Sequence, residues 1–183
     1  MFDLNKFIQD CKNAVADGGD QRAVREIVAN AVSTPVDIFN ALGEPKEASV
    51  SKLYHAPDLT ILNIVWAPLM TIMPHNHNMW AVIGIYTGCE DNIFWRRIGN
   101  KVEGAGAKAL RAGDVATLGA DIIHSVTNPA EEFTGAIHVY GGDFFETPRS
   151  EWEPVSLTEK TYDVEKNMRL FQEANARFAH TAS

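Results

Sequence analysis

Cysteine is scarce in this sequence. Cys11 and Cys89 are the two cysteines in 183 residues, and neither belongs to a Cys-x-x-Cys pair. A fold held together by several disulfides is therefore excluded, and free thiols are typical of a reducing compartment. At this length the chain can bury a sizeable core without such cross-links.

Positive charge is also in short supply. The 16 Lys and Arg residues are outnumbered by 24 Asp and Glu residues, which leaves a net charge of −8. Nucleic acids and anionic membranes bind basic patches, so neither is expected as a partner. No apolar run approaches the roughly 20 residues that span a bilayer. The first residues lack the basic segment and apolar core of a secretory signal, so a cytoplasmic location is expected.

The hydrophobic pattern changes its period near residue 50. Residues 1–47 have apolar positions at helical spacing, broken by Asp-Gly-Gly-Asp at 17–20, and predict helices packed outside a sheet. Residues 50–145 contain at least seven short segments with strand character, which is typical of an all-β sandwich or barrel. Residues 155–183 predict a C-terminal helical segment. The sequence therefore predicts a single domain over residues 1–183.

Individual strands follow from runs of β-branched and aromatic residues. Residues 74–77 are predicted to open a strand that ends at Gly88, and residues 104–106 to form a flexible turn between strands. The other predicted strands are 60–66, 93–98, 115–118, 125–128 and 134–140.

Two of the six histidines are separated by a single residue. His75 and His77 lie in the run Pro-His-Asn-His, and strand side chains alternate, so both imidazoles should project from one face. Two imidazoles on one face can reach one metal ion. His124, after Gly113-Asp114 and a strand, is the candidate for the third ligand.

These two segments resemble the two motifs of the cupin superfamily. The first motif is His-x-His with a closing glycine, here Gly88, and the second is Gly-Asp followed by His and then Asn, here His124 and Asn128. The resemblance covers roughly residues 50–145. It implies an all-β core folded as a double-stranded β-helix, or jelly roll, with the N-terminal helices and the C-terminal helix outside it. It also implies that His75, His77 and His124 bind a metal at the mouth of the barrel.

The chain departs from the usual cupin pattern at one ligand. A glutamate is expected four to six residues after the second histidine, but Ala81, Val82 and Ile83 occupy that stretch. Three neutral imidazoles would leave a divalent ion with its full +2 charge and open positions, which favours an anionic substrate together with water or dioxygen. Imidazoles suit iron, zinc, nickel and copper, so the ligands alone do not select Fe(II) over Zn or Ni.

The three-histidine pattern after a helical segment resembles the cysteine dioxygenase family of thiol dioxygenases. That family has a Ser-x-His-x-Tyr run on a late strand, which His138 and Tyr140 match while Ala136 replaces the serine. The resemblance implies that His138 and Tyr140 are catalytic, with the phenol hydrogen-bonded to dioxygen or to the substrate carboxylate. The alternative is a buried pair that ties two sheets together.

Animal members of that family carry a cysteine that is cross-linked to this tyrosine. Counting along the first motif reaches Ala81 or Val82 at that place, and Cys89 lies beyond the strand end. No thioether cross-link is therefore expected, as in bacterial members that lack the cysteine.

A carboxylate-bearing substrate would need a cation. Arg96 and Arg97 are adjacent on a predicted strand, so one should point inward as a candidate anion clamp; the alternative is that both are solvated at the strand end. The loop residue Arg149 is another candidate. His55 stands near the position of the family's substrate-binding arginine. By strand parity with His75 and His77, Met79 should also line the substrate site.

The leading hypothesis is an iron(II) enzyme that uses dioxygen to oxidise a small thiol, a mercapto acid or cysteine-like compound, to its sulfinate. The same metal site would also suit cleavage of a carbon–carbon bond in a diketone, or a lyase, isomerase or desulfhydrase that uses zinc or nickel as a Lewis acid. A third class is a non-catalytic cupin that binds a metal or a small acid. An exposed edge strand and apolar helices would allow a homodimer.

Overall fold

The computed structural model describes residues 1–16, 18 and 21–181. Three helices precede the sheets: α1 spans Leu4–Ala16, α2 Gln21–Val32 and α3 Pro35–Leu42. Asp17, Gly19 and Asp20 of the predicted break between α1 and α2 lie outside the described residues. The last helix, α4, spans Val164–Thr181, within the predicted C-terminal helical segment. None of the helices in the described ranges is long and apolar enough to cross a membrane.

Among the described residues, eleven strands form two antiparallel sheets. One sheet has the order β1-β2-β9-β4-β7 and the other β11-β10-β3-β8-β5-β6. The strands are β1 Ser49–Ala56, β2 Leu59–Trp66, β3 Thr71–Asn76, β4 Ala81–Thr87, β5 Cys89–Ile98, β6 Lys101–Arg111, β7 Val115–Leu118, β8 Ile123–Thr127, β9 Thr134–Tyr140, β10 Ser150–Trp152 and β11 Glu159–Thr161.

The chain passes repeatedly from one sheet to the other. Strands β2, β4, β7 and β9 belong to the first sheet, and the strands between them, β3, β5, β6 and β8, belong to the second. This alternation wraps the two sheets around a common interior, as in a double-stranded β-helix. The predicted jelly roll with N-terminal helices and a C-terminal helix is confirmed.

The first sheet separates two hydrophobic cores by strand parity. On β9, Ile137 and Val139 face the N-terminal helices, whereas Ala136 and Tyr140 face the barrel interior. On β4, Val82 faces the helices and its neighbours face inward. Because side chains alternate along a strand, each strand contributes to both cores. The barrel interior is therefore shielded by a full layer of sheet and helix on this side.

Two local predictions are wrong. The predicted strand from residue 74 to Gly88 is interrupted, because β3 ends at Asn76 and Asn78 adopts a left-handed backbone with φ 55° before β4 begins. Asparagine tolerates that conformation better than most residues, so a turn fits here. The expected flexible turn at residues 104–106 lies inside β6, an edge strand whose exposed face accommodates glycine.

Helix α2 packs directly against β4 at Gly84. A Cβ added there would lie 2.4 Å from Val28 Cγ1 and 2.9 Å from Val32 Cγ1, so the helix can approach the sheet this closely only because Gly84 has no side chain. Both valines are completely buried. This contact fixes the distance between the helical layer and the barrel.

The variant Gly84→Ala should lower the free energy of unfolding by about 1–3 kcal/mol, because the added methyl group overpacks the α2–β4 contact. Urea unfolding followed by circular dichroism measures the change. Gly106→Ala is the matched control, since a Cβ at that exposed strand position meets nothing within 4 Å. Equal stability of the Gly84→Ala protein and wild type would show that α2 does not rest on this contact.

Candidate metal centre

Three histidines converge inside the barrel from two neighbouring strands. His75 lies on β3 and is paired across the ladder with His124 on β8, and His77 follows the end of β3. Nε2 of His77 lies 3.2 Å from Nε2 of His75 and 3.4 Å from Nε2 of His124. One ligand atom of each residue lies within 4.8 Å of the others. The group could hold one metal ion on three nitrogens.

Burial keeps these imidazoles neutral. The pKa of His75 is lowered to about 4, mainly by desolvation, and the pKa values of His77 and His124 lie well below their usual range for the same reason. The positive charge of Arg149 lowers the pKa values of His75 and His77 further. A neutral imidazole is the form that binds a metal, so the nitrogens need not lose a proton at neutral pH.

The other ring nitrogens of two of these histidines have hydrogen-bond partners in the chain. Nδ1 of His75 donates to the carbonyl oxygen of Met73 over 3.1 Å, and Nδ1 of His124 lies 2.7 Å from Oδ1 of Asn92. Partners of this kind orient a ligand ring and leave Nε2 free for the ion. The donor set therefore fits a divalent transition metal, and the three-histidine group contains no carboxylate.

His138 and Tyr140 lie beside this group on β9. Nδ1 of His138 is 3.0 Å from the Tyr140 hydroxyl, and the Tyr140 ring centroid lies 5.0 Å from that of His77. Burial raises the pKa of Tyr140, so its hydroxyl stays protonated at neutral pH. The structure thus brings together both residues predicted to be catalytic and the three predicted metal ligands.

A small cavity of about 80 Å³ opens between these residues. Trp66, Phe144 and Phe171 form part of its apolar wall, and the Phe171 ring of α4 stacks on Trp66 with centroids 5.5 Å apart. Helix α4 thereby closes one side of the site. Ligand pockets for drug-sized molecules measure roughly 300–1,000 Å³, so this cavity suits a ligand of few atoms.

Arg149 is the buried cation of the cavity. It lies just before β10, is 9 % exposed, and lines the cavity together with the three histidines. Its guanidinium donates to the carbonyl oxygen of Phe144 over 2.6 Å and stacks over the rings of Phe144 and Tyr162. Within the described ranges, no carboxylate forms an ion pair with Arg149. The sequence offered Arg149 only as a loop alternative, because nothing in a loop indicates which way a side chain points.

Arg96 and Arg97 lie away from the cavity. Both are exposed near the end of β5, where Arg96 forms an ion pair with Glu103 and Arg97 forms one with Glu159. The expected inward-facing arginine is absent because β5 pairs with β8 only over residues 91–95, so Arg96 and Arg97 lie past the part of β5 that borders the histidine strands.

The other two predicted substrate residues also lie outside the cavity lining. Met79 is buried in the barrel core, where its side chain packs close to Gly142, and the turn at Asn78 invalidates the parity argument that placed it at the substrate. His55 lies on β1 with Nε2 2.8 Å from Oδ1 of Asp143. Its ring packs at 85° to that of Phe145, which lines the cavity.

Sequence reasoning missed a buried polar pair, Glu90 and Asn92. Both face the barrel interior from β5, with Glu90 fully buried and Asn92 3 % exposed. Glu90 accepts hydrogen bonds from Trp66 Nε1 and Asn92 Nδ2, each over 2.9 Å, and its Oε2 lies 3.7 Å from His138 Nε2. Their spacing of two residues on a strand was a signal that could have found them.

No protein-family model matches the sequence. Its structural neighbours include several cupins. A cupin-family protein with a double-stranded β-helix from Methanocaldococcus jannaschii is 14% identical, with a TM-score of 0.47 over 56% of this chain and 87% of its own.

Two further neighbours also match about half of this chain. A double-stranded β-helix protein from Klebsiella pneumoniae is 18% identical, with a TM-score of 0.46 over 57% of this chain and 81% of its own. Oxalate decarboxylase from Bacillus subtilis is 16% identical, with a TM-score of 0.40 over 50% of this chain and 22% of its own. Nothing about the chemistry of this chain follows from these likenesses.

The metal-free protein should lose stability as the pH falls from 6.5 towards 4. The folded-state pKa values of the three histidines lie below the ordinary value of 6.5. The unfolded chain therefore binds more protons in this window, and the free energy of unfolding rises with pH. Urea unfolding in the presence of a chelator, repeated across the window, measures this slope.

A triple variant with His75→Gln, His77→Gln and His124→Gln should show a much flatter slope, because the groups that resist protonation are gone. His55→Gln removes one histidine outside the cavity and should leave most of the slope in place. If the triple variant retained the wild-type slope, the pH dependence would have to originate elsewhere.

Proposed function

We propose that this protein is an iron(II)-dependent dioxygenase that oxidises a small thiol bearing a carboxylate to its sulfinate. The observation that carries the proposal is the shared cavity. A three-histidine group, the Tyr140 hydroxyl and the Arg149 guanidinium, which forms no ion pair with the carboxylates that the structure describes, all line one space of about 80 Å³. A metal, a proton donor and an anion-binding group are thus available to a single small substrate.

The charge of the cavity favours an anionic substrate. The three imidazoles are neutral, so a bound divalent ion keeps its charge, and Arg149 adds a buried positive charge with no acidic partner within the described ranges. Burying an unpaired cation costs several kcal/mol, and a carboxylate bound to the guanidinium would offset that cost. A mercapto acid presents a thiolate at one end and a carboxylate at the other.

Iron(II) held by His75, His77 and His124 would supply the redox chemistry by which dioxygen and a thiolate react, which no side chain of the cavity can supply. The chain's own residues position and enclose the reactants. Arg149 binds the carboxylate and so fixes the orientation of the thiol. Trp66, Phe144 and Phe171 exclude water from the space around it.

Tyr140 holds one proton at the edge of this space. Its hydroxyl remains protonated because burial raises its pKa, and His138 fixes the direction of the phenol through the 3.0 Å contact to Nδ1. A phenol in this place can turn its O–H from His138 towards an oxygen atom of either reactant without taking up charge. A non-catalytic binding protein would gain little from such a group beside the metal ligands.

Purified protein loaded with Fe(II) should consume oxygen with 3-mercaptopropionate, mercaptosuccinate or cysteine and release the sulfinate. Metal analysis, an oxygen electrode and mass spectrometry of the product measure this. His124→Ala should lose both metal and uptake. Tyr140→Phe should bind Fe(II) normally but turn over about 100-fold more slowly or worse, because it lacks only the hydroxyl group that holds the proton.

Two results would contradict the proposal. Iron bound without oxygen uptake for any thiol would direct attention to carbon–carbon cleavage of a diketone. Zinc or nickel bound with no oxygen chemistry would favour Lewis-acid catalysis or sensing.

Arg149→Gln should raise KM for a mercapto acid by about 10- to 100-fold, since a charge-assisted hydrogen bond contributes about 1.5–3 kcal/mol. The rate with cysteamine, a thiol without a carboxylate, should change far less, and steady-state oxygen uptake with both substrates gives the comparison. Arg97→Gln is the control, because that guanidinium is exposed and lies outside the cavity lining. An equal loss for both substrates would assign Arg149 a structural role instead.

A further inference from the structure

Glu90 is a buried carboxylate that lies between Asn92, the partner of the ligand His124, and His138, the partner of Tyr140. It does not line the cavity. Its Oε1 accepts from Asn92 Nδ2, and its Oε2 accepts from Trp66 Nε1 and lies nearest to His138. The side chain is completely buried. A carboxylate in an apolar interior is costly, and anchoring one tryptophan would not require it.

The first branch leads from Glu90 to the metal ligand His124. A carboxylate oxygen accepts hydrogen bonds and repels an amide oxygen, so Asn92 must turn its Nδ2 towards Glu90. Its Oδ1 then faces His124 Nδ1 at 2.7 Å, and an amide oxygen can only accept. His124 must therefore carry its proton on Nδ1, which leaves the lone pair of Nε2 directed at the metal position.

The second branch leads from Glu90 to His138. Nε2 of His138 is fully buried and has no hydrogen-bond partner among the residues that the structure describes. The same face of β9 offers only the methyl group of Ala136 two residues earlier. Glu90 Oε2, 3.7 Å away, is the acceptor in place, and a shift of less than one ångström would complete a hydrogen bond. A proton on Nε2 makes Nδ1 the acceptor for the Tyr140 hydroxyl.

We propose that Glu90 is a positioning residue that sets the tautomers of His124 and His138 together, through Asn92 on one side and by direct contact on the other. One buried carboxylate thereby directs a nitrogen lone pair to the metal and makes His138 Nδ1 the acceptor of the Tyr140 hydroxyl until a reactant oxygen competes for that proton. The inference rests on the metal-binding part of the proposed function and not on thiol oxidation. Its test uses ring-nitrogen spectra and metal affinity, so a failure of the thiol chemistry would leave it intact.

The first test needs no variant. Nitrogen-15 NMR of the histidine rings in the metal-free protein, assigned with single histidine variants, distinguishes the protonated from the unprotonated nitrogen. We expect His124 to carry its proton on Nδ1 and His138 to carry its proton on Nε2. The opposite tautomer at either residue would overturn the proposal for that branch.

The second test is Glu90→Gln, which conserves the shape of the side chain but replaces one accepting oxygen by a donating NH2 group. If the glutamine oxygen stays with Trp66, its NH2 faces Asn92, which must turn its own Nδ2 towards His124. His124 then has to accept at Nδ1 and move its proton to Nε2, where a metal cannot bind. We expect this tautomer change at His124, no change at His138, and about 10- to 100-fold weaker binding of Fe(II) measured anaerobically against a chromophoric chelator.

The third test restores an acceptor for His124 Nδ1 by exchanging the carboxylate and the amide between positions 90 and 92. In the double variant Glu90→Gln/Asn92→Asp, the glutamine NH2 donates to one oxygen of the carboxylate introduced at position 92, and the other oxygen again accepts from His124 Nδ1. The net charge and the volume of the pair equal those of wild type, so this variant is the matched control for Glu90→Gln. It should restore the His124 tautomer and most of the Fe(II) affinity.

Two outcomes would overturn the proposal. Glu90→Gln could bind Fe(II) with wild-type affinity and keep the Nδ1 proton of His124. Alternatively, the double variant could bind as weakly as the single one, which would trace the loss to disturbed packing. Thermal unfolding shows whether each variant is folded. If Glu90→Gln does not fold, the histidine tautomers measured in the wild-type protein decide whether the proposal stands.

Discussion

The burial of three uncharged imidazoles around one point is the constraint on which the rest of the structure depends. Desolvation keeps protons off His75, His77 and His124, so their lone pairs stay available without a neighbouring base. The imidazoles stay uncharged only where water is excluded. The sheet and its helical layer exclude water on one side, and α4 excludes it on the other. The surrounding fold therefore determines the chemistry of the ligands as much as the ligands themselves do.

Polar groups near these imidazoles fall into two kinds. Glu90 and Asn92 are satisfied by partners within the chain and hold rings in place. Arg149 contacts carbonyl and aromatic groups but lacks an anionic partner among the described residues, which leaves its charge to be matched from outside. The first kind stabilises the site before a ligand arrives, and the second creates a preference for what the ligand must be.

The three-histidine group has no glutamate among its ligands, but Glu90 is buried nearby in the same barrel. Ala81, Val82 and Ile83 pack in the two cores and cannot offset the charge of a bound ion. The carboxylate of Glu90 is separated from His124 by Asn92, which is hydrogen-bonded to both. The three-histidine group thus leaves positions open for substrate, while Glu90 can act on His124 only through Asn92.

Patterns that depend on neighbouring residues were readable from the sequence, since strand alternation is a local rule. His75 with His77 and His138 with Tyr140 were predicted to share faces, and the change of hydrophobic period predicted the helical and β segments. The jelly roll itself was predicted from the resemblance of its motifs. Local rules failed at the turn around Asn78 for Met79, and at the end of β5, past its pairing with β8, for Arg96 and Arg97. The positions of Arg149 and Glu90 were decided only by the tertiary structure, because the loop before β10 and the inner face of β5 reach the histidines through the long-range pairing of β10 with β3 and of β5 with β8.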